Sequence, residues 1–165
     1  MATGTATGVP DHAAYMRRAI ALSRQQALAR EGGPFGAVIV CGSQIIAEGA
    51  NCVTTSNDPT AHAEIVAIRR ACATLGSFSL VDCVIYSSCE PCPMCLSAIY
   101  WARLSHLYYG NSRLEAAAIG FDDDLLYREI PLPPQLRRLP TARLLPTEAL
   151  EAFEIWRSDP DKVPY

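Results

Sequence analysis

The sequence predicts an α/β domain, a three-layer α/β/α sandwich over a central mixed sheet that opens with an N-terminal hairpin. Two patterns lead there. Phe35 to Cys41 and Gln44 to Ala50 are β-rich runs divided by Gly42-Ser43, as in a hairpin. Beyond them, helical and strand-like segments alternate, which places helices across the faces of a sheet. The 165 residues suit one domain with its own core, and half of them are apolar.

The elements follow in order. Asp11 is placed to cap a first helix running to about Arg30, with an apolar stripe of Ala13, Met16, Ile20, Ala27 and Leu28. Gly32-Gly33-Pro34 ends it. After the hairpin, Asn51 to Pro59 is a polar loop. Thr60 to Leu75 reads as a second helix, with Ile65, Ile68 and Cys72 on one side. Val81 to Ser87 is a strand, Pro93 to Arg103 a third helix, and Leu104 to Gly110 another strand. Prolines crowd Ile130 to Pro146, the pattern of an arm laid over a surface. A last helix, about Thr147 to Ser158, carries Ala149, Phe153 and Trp156 as an apolar edge. Residues 1–10 read as a flexible tail and 11–165 as a single domain.

Charge and hydropathy narrow the function classes. The formal net charge is -3. An acidic chain with no Lys/Arg cluster is poorly suited to a phosphate backbone, so a small molecule is expected rather than nucleic acid. No segment reaches the roughly 18 uninterrupted apolar residues of a membrane span. The N-terminus lacks the basic and apolar regions of a signal peptide, so a cytoplasmic protein is expected. The seven cysteines are an odd number, and a reducing compartment argues against a disulfide framework. Cys41, Cys72 and Cys83 lie in apolar patterns and read as small buried hydrophobes.

Two short stretches carry chemistry: Thr60-Ala-His62-Ala-Glu64, opening the second helix, and Cys89-Glu90-Pro91-Cys92-Pro93-Met94-Cys95, between a strand and the third helix. Pro93 suits a first helical turn, because its missing N–H is not needed there. Cys92 then falls at the cap and Cys95 one turn in, so both thiols can meet at the helix end. The positive end of the helix dipole favours thiolates there. His62 and Glu64, two residues apart, converge only on a point beyond their own helix end, since two residues turn roughly 200° about the axis. His62, Cys92 and Cys95 supply three ligands and leave a fourth position for water, the pattern of a catalytic Zn2+ site with one ion per subunit. Glu64 is then placed to move protons to and from that water. Other readings stand beside this one. Cys89 and Cys92 also form a C-x-x-C after a strand, as in redox proteins. Cys89 could be a fourth ligand closing a structural site for protein binding. The joint occurrence of His-Ala-Glu and Pro-Cys-x-x-Cys favours the open site.

With these motifs the sequence resembles the cytidine-deaminase-like superfamily and, within it, the small bacterial guanine deaminases. The resemblance runs over nearly the whole chain. It is carried by Gly32-Gly-Pro-Phe-Gly-Ala-Val-Ile-Val40, Thr54-Thr-Ser-Asn-Asp-Pro-Thr-Ala-His-Ala-Glu64, Ser88-Cys-Glu-Pro-Cys-Pro-Met-Cys95, Ala98-Ile-Tyr-Trp-Ala-Arg103 and Ile119-Gly-Phe-Asp-Asp123. It implies that His62, Cys92 and Cys95 bind zinc and that Glu64 shuttles protons in the hydrolytic deamination of guanine to xanthine and ammonia. Guanosine, cytosine or another aminated ring are the alternative substrates. Asp123 is expected to assist proton transfer at the departing amine. Asn51, Phe35, Ala63, Trp101 and Tyr165 are expected to contact the base: Asn51 by hydrogen bonds, Phe35 and Trp101 as walls. The resemblance further implies a homodimer whose C-terminal segment, about 130–165, swaps onto the partner so that its last residue, Tyr165, helps close the partner's site.

Overall fold

The computed structural model describes residues 11–165; the expected flexible tail at 1–10 lies outside the described residues. The chain forms two compact units, one ending at Asp123 and the other spanning Asp124–Tyr165.

The first unit holds the sheet. Helix α1, His12–Ala29, is capped by Asp11, whose carboxylate accepts the Ala14 N–H at 2.9 Å. Strands β1, Gly36–Cys41, and β2, Gln44–Ala50, form the hairpin. A short helix, α2 (Val53–Ser56), interrupts the expected loop. Helix α3 is Ala63–Leu75, β3 is Cys83–Cys89, α4 is Pro93–Trp101 and β4 is His106–Asn111. A six-residue helix not anticipated from the sequence, α5 (Arg113–Ala118), opens with a Ser112–Glu115 capping box. The strand order is β2-β1-β3-β4. β1 is antiparallel to both β2 and β3, while β3 and β4 run parallel around the α4 crossover.

The alternation of strand side chains makes the three layers. Ala37, Ile39 and Ile85 point to one face and pack with Ala63, Ala67 and Ala71 of α3 and Ile99 of α4. Val38, Val40 and Tyr86 point to the other and pack with Ala19 of α1. The predicted sandwich and mixed sheet are therefore present. Two close approaches depend on glycine. A Cβ on Gly49 would lie 2.1 Å from the Ala63 carbonyl oxygen, and one on Gly36 would lie 2.5 Å from that of Ala19. Their absence lets α3 and α1 settle directly on the sheet.

Two expectations need correction. Of the predicted α1 stripe only Met16 packs on the core: Ala19 and Gln26 are buried and Tyr15, Met16 and Leu22 half-buried, whereas Ile20 is 40% and Leu28 82% exposed. Gly36 sets this, because it admits the Ala19–Ser23 side of the helix and so turns the longer side chains outward. Cys41 and Cys83 are also not independent hydrophobes. They face each other across β1 and β3, with Cα atoms 4.3 Å apart, and form a disulfide. An odd cysteine count reveals nothing of this, since strand register alone brings the pair together.

The second unit comprises α6 (Asp124–Glu129), a 3-10 turn at Pro134–Leu136 and α7 (Pro146–Ser158). The Arg137 guanidinium donates to the carbonyls of Leu132 and Ile130, and the Arg138 N–H donates to Glu129 at 2.6 Å. These bonds shape the proline-rich stretch without regular structure. No residue of this unit is buried, and Phe153, Ile155 and Val163 are exposed.

Candidate metal and catalytic site

Two helix N-termini meet at the site. His62 is the N-cap of α3 and Cys92 the N-cap of α4, and neither uses its side chain for a capping bond. N-caps are ordinarily Ser, Thr, Asp or Asn, which satisfy the free backbone N–H groups. Here the two side chains turn to each other instead. Cys92 Sγ is 3.6 Å and Cys95 Sγ 3.5 Å from His62 Nδ1. The three ligand atoms all lie within 4.8 Å of one another. A tetrahedral zinc ion, with Zn–S near 2.3 Å and Zn–N near 2.0–2.1 Å, separates a nitrogen from a sulfur ligand by about 3.5–3.6 Å. The spacing and the donor set fit that ion.

Electrostatics favour the thiolate form at Cys92. The Cys92 thiol is brought down to about 4, chiefly by a hydrogen bond from Cys95 and also by His62, against the opposing effect of burial. Cys95 is pushed up as the donor of that bond. Each sulfur lies at the positive end of α4, as Pro93 in its first turn implied. Cys89 stands apart. It is buried, its thiol bonds the Ser112 carbonyl at 3.8 Å, and burial pushes it up to about 11. It does not belong to the cluster, which disposes of the closed four-ligand site and of an activated Cys89–Cys92 redox pair.

Glu64 occupies the first turn of α3 and is 6% exposed. Its Oε1 accepts the Ser87 hydroxyl at 3.0 Å. Burial raises its carboxyl above the ordinary range. Ala63, fully buried, holds the first helical position, where the helix supplies no acceptor for its N–H. Asp123 is half-buried, and its carboxyl is raised first by burial and then by the Cys92 charge.

Asn51 is buried at the end of β2's loop, and its side chain is oriented by the backbone. Oδ1 accepts the N–H groups of Gly33 at 3.2 Å and Val53 at 3.3 Å. With both lone pairs engaged, the amide has only its N–H groups to offer. Two residues absent from the sequence-level site support this loop. Gln26 donates to the Asn51 carbonyl at 2.8 Å, and the Phe121 ring meets Phe35 edge-on at 4.8 Å. The second contact sets Phe121 against Phe35, the residue just before β1.

Trp101 ends α4, a helix length away from Cys92, is 65% exposed, and lines an open groove with Ser97, Tyr100 and Arg103. Tyr165 belongs to the second unit and is 71% exposed.

A three-layer fold that joins two helix N-termini at a His/Cys/Cys cluster, with a buried carboxylate beside it, defines a metal-dependent hydrolase of the deaminase class. Residues 9–111 match the family model described as the cytidine and deoxycytidylate deaminase zinc-binding region. The chain belongs to this family. It is 51% identical to the guanine deaminase of Bacillus subtilis over 155 residues, covering 94% of this chain and 99% of that protein. The X-ray structure of that enzyme superposes with a TM-score of 0.91, at 51% identity and the same coverage. The guanine deaminase of Nitrosomonas europaea superposes with a TM-score of 0.65 at 29% identity, covering 74% of this chain and 79% of that one. The tRNA-specific adenosine deaminase of Agrobacterium fabrum is 43% identical over 90 residues, 54% of this chain and 59% of that protein.

Proposed function

We infer that this chain is a zinc-dependent enzyme that hydrolyses guanine to xanthine and ammonia. The observation that carries the chemistry is the buried Glu64 beside the convergent His62, Cys92 and Cys95. The substrate rests on the near full-length similarity to the Bacillus subtilis enzyme.

His62, Cys92 and Cys95 hold one zinc ion per subunit in this reading, with water as its fourth ligand. The bound ion supplies Lewis acidity, which lowers the pKa of that water towards roughly 7. Glu64 takes the water's proton as oxygen attacks the amino-bearing ring carbon. It delivers the proton to the adjacent ring nitrogen, so that charge does not accumulate on the ring. A second proton passes through Glu64 to the amine, and Asp123 assists its departure. Asn51 donates to an acceptor on the base, Ala63 offers its backbone N–H, and Phe35 provides an apolar wall.

The reading also includes a cytoplasmic homodimer in which the C-terminal segment crosses to the second copy. Its support is the second unit's lack of any buried residue and the exposure of Trp101 and Tyr165. Among the described residues no helix is long and apolar enough to cross a membrane. A small base, rather than nucleic acid, suits the net charge of -3.

The test is ammonia release by zinc-loaded protein from guanine, guanosine, cytosine and adenine, with Glu64→Gln as the blank. Turnover of guanine above the other bases is expected, with a loss of at least about 10³-fold in the variant. Near wild-type turnover by zinc-bound Glu64→Gln would remove Glu64 from the mechanism. A preference for another base would keep the mechanism and reassign the substrate.

A further inference from the structure

Ser87 occupies an unusual place in the sheet. On β3, alternate residues face opposite layers: Ile85 points into the apolar layer under α3 and α4, and Tyr86 into the layer under α1. Ser88 follows Tyr86, and its hydroxyl accepts the Gly36 N–H at 3.0 Å. Ser87 therefore follows Ile85 into the α3 side, where it is 1% exposed. An aliphatic residue would continue that layer. A buried hydroxyl is unfavourable there unless it has a partner, and the partner is Glu64 Oε1 at 3.0 Å.

We propose that Ser87 is a positioning residue for the proton-shuttling carboxylate: its hydroxyl pins Glu64 by Oε1 and so fixes the orientation of the carboxylate at the end of α3. The inference rests on the shuttle role given to Glu64 above. A carboxylate at the end of a Glu side chain rotates about a broad, roughly two-fold torsion. With Oε1 held by the Ser87 O–H, that rotation is restricted. Each transfer then starts from a carboxylate held in one orientation, which is the geometric economy that well-placed catalytic groups exploit. Ser87 is itself fixed from both sides, since β3 pairs there with Ala37 of β1 and Tyr109 of β4. The hydroxyl is thus mounted on an interior strand of the sheet, paired on both sides, while Glu64 sits in the first turn of a helix.

The experiment uses zinc-loaded, full-length protein with guanine. Ser87→Thr keeps the hydroxyl and Ser87→Val has the same shape without it, so any packing strain is common to both. The kcat of Ser87→Val is expected to fall about tenfold below that of Ser87→Thr, with KM within about twofold and equal bound zinc. In a Glu64→Gln background the difference between Thr and Val is expected to vanish, because a residue acting through Glu64 has nothing left to position. Equal kcat for the two variants overturns the proposal, as does a difference that survives in the Glu64→Gln background. If the larger side chains prevent folding, Ser87→Ala against the parent protein gives the same comparison in both backgrounds. Wild-type turnover by Glu64→Gln alone would instead sink the shuttle role, so the two failures are distinct.

Discussion

The side-chain oxygen of Asn51 accepts the backbone N–H of Gly33 at 3.2 Å, tying the end of the hairpin to the turn that follows the first helix. Together with the Val53 N–H at 3.3 Å, this bond decides which way the amide points. A site built to donate a hydrogen bond discriminates strongly against a partner that lacks an acceptor, because a buried donor would be left unpaired.

Asn51→Asp keeps the oxygen that accepts from Gly33 and Val53 and removes the N–H donors. The loop should hold its shape while the base loses its contact. We expect kcat/KM for guanine to fall about 10²-fold, with the thermal midpoint shifted by only a few degrees. Steady-state kinetics beside a melting curve tests this; unchanged kcat/KM would remove Asn51 from the base-binding set.

Zinc content separates Cys89 from its neighbours. Cys95→Ser should abolish stoichiometric zinc, as should Cys92→Ser, because each removes one of three protein ligands. Cys89→Ser should retain one zinc per chain, since the Cys89 thiol bonds the Ser112 carbonyl. Metal analysis of the purified variants decides it, and loss of zinc in Cys89→Ser would restore the closed site.

The Cys41–Cys83 bond spans a sequence separation of 42. Closing a loop of that length stabilises the folded chain by about 2–4 kcal/mol. Thiol titration of denatured, zinc-free protein should find five free cysteines before reduction and seven after, from the five unpaired residues plus the released pair. Urea denaturation should show a matching fall in stability on reduction. Seven thiols before reduction would mean that the pair is not bonded in solution.

Arg18 binds Glu48 through two parallel bonds, at 2.6 Å and 2.5 Å, across α1 and β2. The Glu48 carboxyl is lowered first by the Arg18 hydrogen bond. A lowered folded value means that the unfolded chain binds its proton first. The stabilisation is therefore full above the unfolded value, near pH 4.3 (roughly), and is lost as pH falls through the lower folded one. Both side chains are partly exposed, at 43% and 31%, so the pair contributes only about 0.5 kcal/mol. Glu48→Gln should destabilise the protein by about that much at pH 7 and show no difference from the parent below about pH 3. Urea melts across pH 3 to 7 measure it; an undiminished difference at the acid end would exclude the ion pair as its source.

Much of this protein is legible in its sequence because the features are local. Gly42-Ser43 between two β-rich runs makes the hairpin, Asp11 caps α1, and Pro93 starts α4, each through contacts a few residues apart. His62, Glu64, Cys92 and Cys95 could be chosen together because their order and spacing match a chemical requirement. The strand boundary at β3 was displaced by two residues, from an expected Val81–Ser87 to Cys83–Cys89, because apolar Val81 faces solvent at 57% exposure before pairing begins. Helix α5 leaves no periodic signal in the sequence, since its six residues are too few to show a period.

By itself, then, the sequence determined the layered fold, the His/Cys/Cys set that gathers at one point and the carboxylate beside it, all of which follow from local patterns and motif spacing. Tertiary structure alone decided the rest. Strand register joined Cys41 to Cys83, excluded Cys89 from the metal cluster, and set Ser87 against Glu64. Helix packing on Gly36 chose the buried face of α1 and thereby aimed Gln26 at the Asn51 backbone. These pairings join residues 23 to 42 positions apart, and no local propensity encodes which of them will meet. The physical reason is that side-chain direction in a strand reverses with every residue, so partners are known only once the register is fixed.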